Sequence, residues 1–146
     1  MSLTKRSLLC VVFAFACRAS LPVNDAILAV LDDQKEAWNA GDVDEFMARG
    51  YWHSDELVFV SGESEHRGYD AVLDRYRARY TEGDAEMGAL QFSELSITET
   101  GEDSATATGR WDLDFEHEAD IGGGFTLELI RMPQGWRIVR DTTSSD

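Results

Sequence analysis

Residues 122–143 constrain this chain most: two alternating segments meet at Pro133-Gln134-Gly135, and Trp136 opens the second. Alternation at period two turns one side of each segment toward a core, and a connection this short folds them into an antiparallel hairpin. In the first segment the inward set is Phe125, Leu127 and Leu129; in the second the same alternation gives Trp136, Ile138 and Arg140. A hairpin that closes a chain with a helical first half predicts an α+β fold, with helices laid on one face of a sheet.

Upstream, Ile27, Val30, Leu31, Ala37 and Trp38 recur at helical spacing, which predicts a helix over 24–40 capped by Asn24 or Asp25. Gly41 stops it, and Asp42 with Glu45 forms a capping box that opens a short second helix ending at Gly50. Leu57-Val-Phe-Val-Ser61 is an apolar run suited to a strand covered on both faces, and residues 62–68 read as a charged turn. A third helix over 69–80 buries Val72, Leu73, Tyr76 and Tyr80. Period two then returns in 90–97 and 105–115, joined at Gly101-Glu-Asp, with Trp111, Leu113 and Phe115 on one side and Arg110, Asp112 and Asp114 on the other. The expected order is two helices, a strand, a helix and a four-stranded antiparallel meander.

Residues 1–16 differ in kind. Lys5-Arg6 precede an uncharged run, Leu8-Leu-Cys-Val-Val-Phe-Ala-Phe-Ala16, which has the grammar of a signal peptide and about half the length of a membrane span. Small residues at Ala14 and Ala16 suit cleavage before Cys17, and two routes stay open: release of an exported protein, periplasmic or extracellular, or lipidation of Cys17 at a lipobox-like site. A membrane is a partner only through that anchor. Residues 17–23 read as a linker and 24–143 as one domain.

Charge bears on partners. Twenty-eight Asp and Glu against 13 Lys and Arg give −15, and removal of 1–16 takes away two positive charges and no negative one, leaving −17. Most of such a surface repels a phosphate backbone, so nucleic acid is not an expected partner. Cysteines occur only at 10 and 17, so neither a disulfide framework nor thiol catalysis is expected from residue 20 onward.

This element order, with Trp38-Asn-Ala-Gly-Asp42, the stretch 53–61, Arg67-Gly68 and Gly135-Trp-Arg-Ile-Val-Arg-Asp141, resembles the nuclear transport factor 2-like superfamily. Within it the chain is similar to the SnoaL-like and calmodulin-dependent-kinase association-domain-like branch. The resemblance implies a cone-shaped, cystatin-like roll in which a curved antiparallel sheet wraps an apolar pocket beneath N-terminal helices, and it implies a homodimer. Some members are ketosteroid isomerases, epoxide hydrolases or polyketide cyclases, whereas others only bind or assemble. An isomerase of this type needs a carboxylate base on the first strand, and Leu57-Val-Phe-Val-Ser61 supplies none.

The leading expectation is therefore an exported domain that binds a small apolar or amphipathic molecule, without a recognisable catalytic set. Tyr51, Trp52, Trp111, Phe125 and Arg140 are its candidate ligand-binding residues, with Arg140 able to hold an anionic group through its planar fork. The rivals are a pocket isomerase, lyase or hydrolase using His53 or Asp141 as base, and a homo-oligomeric assembly module. No cofactor is expected. No metal is expected either, since alternation throws His117 away from Glu116 and Glu118, and no motif requires a cation at Glu63, Glu65 and His66.

Overall fold

The computed structural model describes residues 21–146, so the expected leader and Cys17 lie outside the described residues. Two helices, α1 (Val23–Asn39) and α2 (Val43–Gly50), precede β1 (Val58–Ser61), β2 (Ser64–Arg67) and α3 (Tyr69–Tyr80). Four long strands follow: β3 (Ala89–Gly101), β4 (Ser104–Asp114), β5 (Ile121–Met132) and β6 (Gly135–Thr143). With β1 and β2 they form one open six-stranded sheet in the order β2-β1-β6-β5-β4-β3.

The α+β expectation and the meander hold, and two features extend them. Residues 62–68, read as a charged turn, contain the edge strand β2, which pairs antiparallel with β1. Its Ser-Glu-His-Arg sequence lacks an apolar alternation because it faces water on an edge, so only its pairing identifies it. β1 in turn pairs parallel with β6, so that Phe59 lies beside Asp141. Leu57, Val58 and Phe59 are buried but Val60 and Ser61 only half-buried, so β1 is fully covered only at its start.

Helix α1 begins after Pro22, with no side-chain cap, rather than at Asn24 or Asp25. Proline presets the backbone for a helix entry and gives up no hydrogen bond there. One half of the expected capping box is present, the Asp42 carboxylate accepting the Glu45 amide at 3.0 Å, whereas the Asp42 amide donates to the Ala37 carbonyl and the Glu45 carboxylate pairs with Arg49. Gly41, at φ +80°, makes the corner between α1 and α2 in a conformation that a side chain would strain.

The helices are held to the sheet by polar clamps as well as apolar packing. Asn39, the last residue of α1, donates to the Leu90 carbonyl at 3.2 Å and accepts the Leu90 amide at 2.7 Å, as a paired strand residue would. Asn39→Ala removes both bonds and strands two backbone groups of β3. We expect a loss of about 1–3 kcal/mol in urea denaturation, and a change below half a kcal/mol would show the clamp to be incidental.

Inward-facing Leu90, Ala107, Leu113, Leu127, Leu129 and Ile138 join Ile27, Leu31, Trp38, Phe46 and Val72 in one core. Two of the three register shifts in the sheet matter most for which residues face it. In β3, Glu94 and Leu95 together oppose Gly109, with Glu94 at φ +54°. In β6, Glu128 pairs with Arg140 but the adjacent Leu129 pairs with Ile138, leaving Val139 as the extra residue. Among the described residues, no helix is long and apolar enough to cross a membrane.

Candidate functional site

The β6 bulge decides the site. Strict alternation after Trp136 and Ile138 puts Arg140 on the inner face, but the additional residue at Val139 reverses the phase. Arg140 turns outward, exposed, with its Nε 3.8 Å from Glu128, and Asp141 turns inward. Asp141 is flanked in the sheet by Phe59 on β1 and Leu127 on β5 and is only 5% exposed.

A cavity of about 90 Å³ opens between the helices and this face of the sheet. Trp38, Phe46, Tyr76 and Tyr80 wall it from the helical side, Phe59, Phe92, Trp111 and Phe125 from the strands, and Asp141, Gln34 and Thr143 add polar groups. On β4 the small residues Ala107 and Gly109 pair with Leu127 and Phe125 of β5, whose side chains line the hollow. A Cβ at Gly109 would meet the Phe125 ring at 2.7 Å. The volume is below the roughly 300 Å³ of a drug-sized site and ample for a few waters or one small molecule.

Asp141 ends a chain of hydroxyls. The Tyr51 hydroxyl donates to its Oδ2 at 2.6 Å, and the hydroxyls of Tyr51 and Tyr76 stand 3.2 Å apart. Tyr51 has one proton and spends it on the carboxylate, so Tyr76 donates to Tyr51. Oδ1 of Asp141 is buried and has no hydrogen-bond partner, and it alone stands so among the side-chain atoms of the described residues.

Burial is the main influence on this group. It pushes the Asp141 carboxyl up to about 6, against the opposing effects of the Tyr51 hydrogen bond and the positive charge of Arg75. Burial likewise raises both Tyr51 and Tyr76 far above the ordinary phenol range, so both stay neutral donors. Arg75 makes no ion pair with Asp141 among the described residues; its guanidinium lies over the Phe59 ring, 4.7 Å from the centroid.

The other candidates divide. Tyr51, Trp111 and Phe125 line the cavity beside Asp141, and Trp111 also donates its indole N–H to the Ser144 carbonyl at 3.2 Å. Trp52, half-buried, is not among the lining residues; its amide donates to the Ile138 carbonyl. His53 is exposed and stacks on Tyr69, 4.1 Å between centroids, so the two candidate bases do not share a site. His117 pairs with Glu86 at 2.9 Å, and no group of three potential metal ligands converges among the described residues.

Gln34 and Tyr76 join the site unannounced. The spacing of the first helix carried a signal for Gln34, a polar residue three places after Leu31 and four before Trp38, inside the apolar stripe. It is 2% exposed and donates to the Phe46 carbonyl at 3.2 Å.

The sequence profile of the SnoaL-like domain family matches residues 27–145, the whole of the sheet and nearly all of the helical layer. The chain belongs to the SnoaL-like domain family. A solved nuclear transport factor 2-like protein of unknown function from Shewanella oneidensis MR-1 is 33% identical, with 83% of this chain and 98% of that one covered and a TM-score of 0.76. Two more distant structures share the fold. One, from Xanthomonas campestris, carries a provisional assignment as a calcium/calmodulin-dependent protein kinase II association domain, at 14% identity, 88% and 93% coverage and TM-score 0.67. The other, from Novosphingobium aromaticivorans DSM 12444, carries a provisional assignment as a scytalone dehydratase, at 13% identity, 84% and 83% coverage and TM-score 0.66. No curated protein matches this SnoaL-like chain at a significant level.

Proposed function

We propose that this SnoaL-like domain binds one small, largely apolar molecule in the cavity, with Asp141 as its polar anchor. The observation that carries this reading is the unpaired Oδ1 of a buried carboxylate at an aromatic-walled hollow. An acceptor left in that condition costs free energy in the unliganded fold, and a ligand donor returns it. Arg140 has no part in this reading, since it points to the opposite face. With the leader-like residues 1–16, the ligand is one met after export.

Cyclopentanol, with six heavy atoms and one hydroxyl, tests the reading on the full chain. Saturable shifts should appear at the methyl resonances of Leu31, Leu90, Leu127 and Ile138, which surround the cavity. Uniformly small, non-saturating shifts up to tens of millimolar, from cyclopentanol and from cyclopentylammonium alike, would overturn it.

A second reading is favoured by the same carboxyl, raised to about 6 and so suited to exchange a proton near neutral pH. In it Asp141 is the base, Tyr51 and Tyr76 its hydrogen-bonded support, and His53 takes no part. Any conversion by the purified protein would then vanish in Asp141→Asn, and conversion that persists would remove Asp141 from the chemistry.

A further inference from the structure

Among the described residues, Asp141 is the only charged one in the cavity wall; no Lys, Arg or His of these lines it. We infer that the cavity is built for a small organic ammonium ion bearing at least one N–H, held by Asp141 Oδ1 and by the surrounding ring faces. This rests on the binding reading above and names the ligand class.

Three observations converge on a cation rather than a neutral donor. An alcohol would satisfy Oδ1 yet leave a net negative charge enclosed among Phe59, Leu127 and Tyr51, whereas an ammonium supplies both the donor and the opposite charge. The walls are aromatic on both the helical and the sheet side, and ring faces attract cations most strongly where water is excluded. The chain's net charge of −15 raises the local concentration of cations and lowers that of anions. A quaternary ammonium has no N–H and would leave Oδ1 unpaired. The 90 Å³ volume limits the ion to about six heavy atoms.

The groups facing Asp141 allow this charge balance. From the segment after α2 comes Tyr51, from α3 Tyr76 and Arg75, from α1 Gln34, from β1 Phe59 and from β5 Leu127. Arg75 is the single charged group among them, and the tyrosines are neutral through the working range. An alkylammonium keeps its proton up to about pH 9, so of the groups named here only Asp141 changes charge across pH 5–8. Protonation of Asp141 removes the counter-charge and fills an acceptor, so affinity falls as pH drops through about 6.

Cyclopentylammonium and cyclopentanol, nearly isosteric, separate the possibilities by the same methyl titration on the full chain at pH 8 and pH 5. The ammonium should bind about tenfold or more tightly than the alcohol at pH 8, and its affinity should fall about tenfold by pH 5 while that of the alcohol does not. Asp141→Asn should abolish the preference, its methyl dispersion showing that it folds. Equal affinities at pH 8, or tighter alcohol binding, would overturn the cation assignment and leave the binding reading standing. Saturable shifts from neither molecule would overturn both. If the variant does not fold, the pH comparison on the native chain decides by itself.

Discussion

Asp141→Asn should make this protein more stable at pH 8 and leave its stability nearly unchanged at pH 4. The buried carboxyl titrates at about 6 in the fold, against 3.8 as its ordinary value. The folded state therefore binds its proton more tightly than the unfolded chain does. The stability this proton confers is fully present below pH 3.8 and is lost as pH rises through about 6. Above that pH the charged form costs about 3 kcal/mol by linkage. Asparagine keeps the shape and still accepts from Tyr51, but carries no charge to desolvate. Its amide N–H2 in turn needs an acceptor, so the expected net gain at pH 8 is about 1–2 kcal/mol, a rise of roughly 3–8 °C in Tm. Thermal unfolding of both proteins at pH 4 and pH 8 measures it. A variant equally or less stable at pH 8 than the native chain would mean that Asp141 has a partner in solution, and the argument for an unfilled anchor would fall with it. A side chain that weakens the empty fold at neutral pH is retained more readily for what it binds than for what it stabilises.

The largest loss is expected at Trp38. Its ring meets Phe46 at 5.0 Å and Tyr80 at 4.9 Å between centroids, both edge-on, and Tyr76 at 6.0 Å. Its indole N–H donates to the Met87 carbonyl at 3.0 Å, tying the end of α1 to the segment that enters β3. Trp38→Ala opens a void beside an existing cavity and strands that carbonyl, so we expect about 3–5 kcal/mol of destabilisation, a large share of what a domain of this size possesses. Trp38→Phe retains most of the ring area and loses the hydrogen bond, which should cost about 1–2 kcal/mol. Urea denaturation of the three proteins checks the order. A Trp38→Ala loss below about 1 kcal/mol would show that the cavity wall collapses without cost, and that the hollow is not a rigid feature of the fold.

The parts legible in the sequence are those governed by local rules. Helix α3 runs from Tyr69 to Tyr80 as its periodicity predicts, because Gly68 and Thr81 bound a stripe that needs no distant partner to be recognised. The Asp42 N-cap and the closing hairpin are likewise set by residues a few places apart. β2 was not legible, since Ser64-Glu-His-Arg67 becomes a strand only by pairing with β1. At the site, Tyr51, Trp111, Phe125 and Asp141 are legible as candidates in the sequence, but Arg140 and Trp52 read equally well there and line no part of the cavity, and His53 reads as a rival base to Asp141.

Sequence alone therefore determined the α+β class, the order of its helices and the closing hairpin, because periodicity and capping act over one or two turns of chain. Tertiary structure decided which of two adjacent charges faces inward. A single extra residue at Val139 inverts the alternation, and that bulge is fixed by the register of β6 against β5 and β1. The same long-range pairing places Asp141 between Phe59 and Leu127 and under the Tyr51 hydroxyl. The site's chemistry follows from that neighbourhood, because the energy of a carboxylate depends on what surrounds it in space and not on its neighbours along the chain.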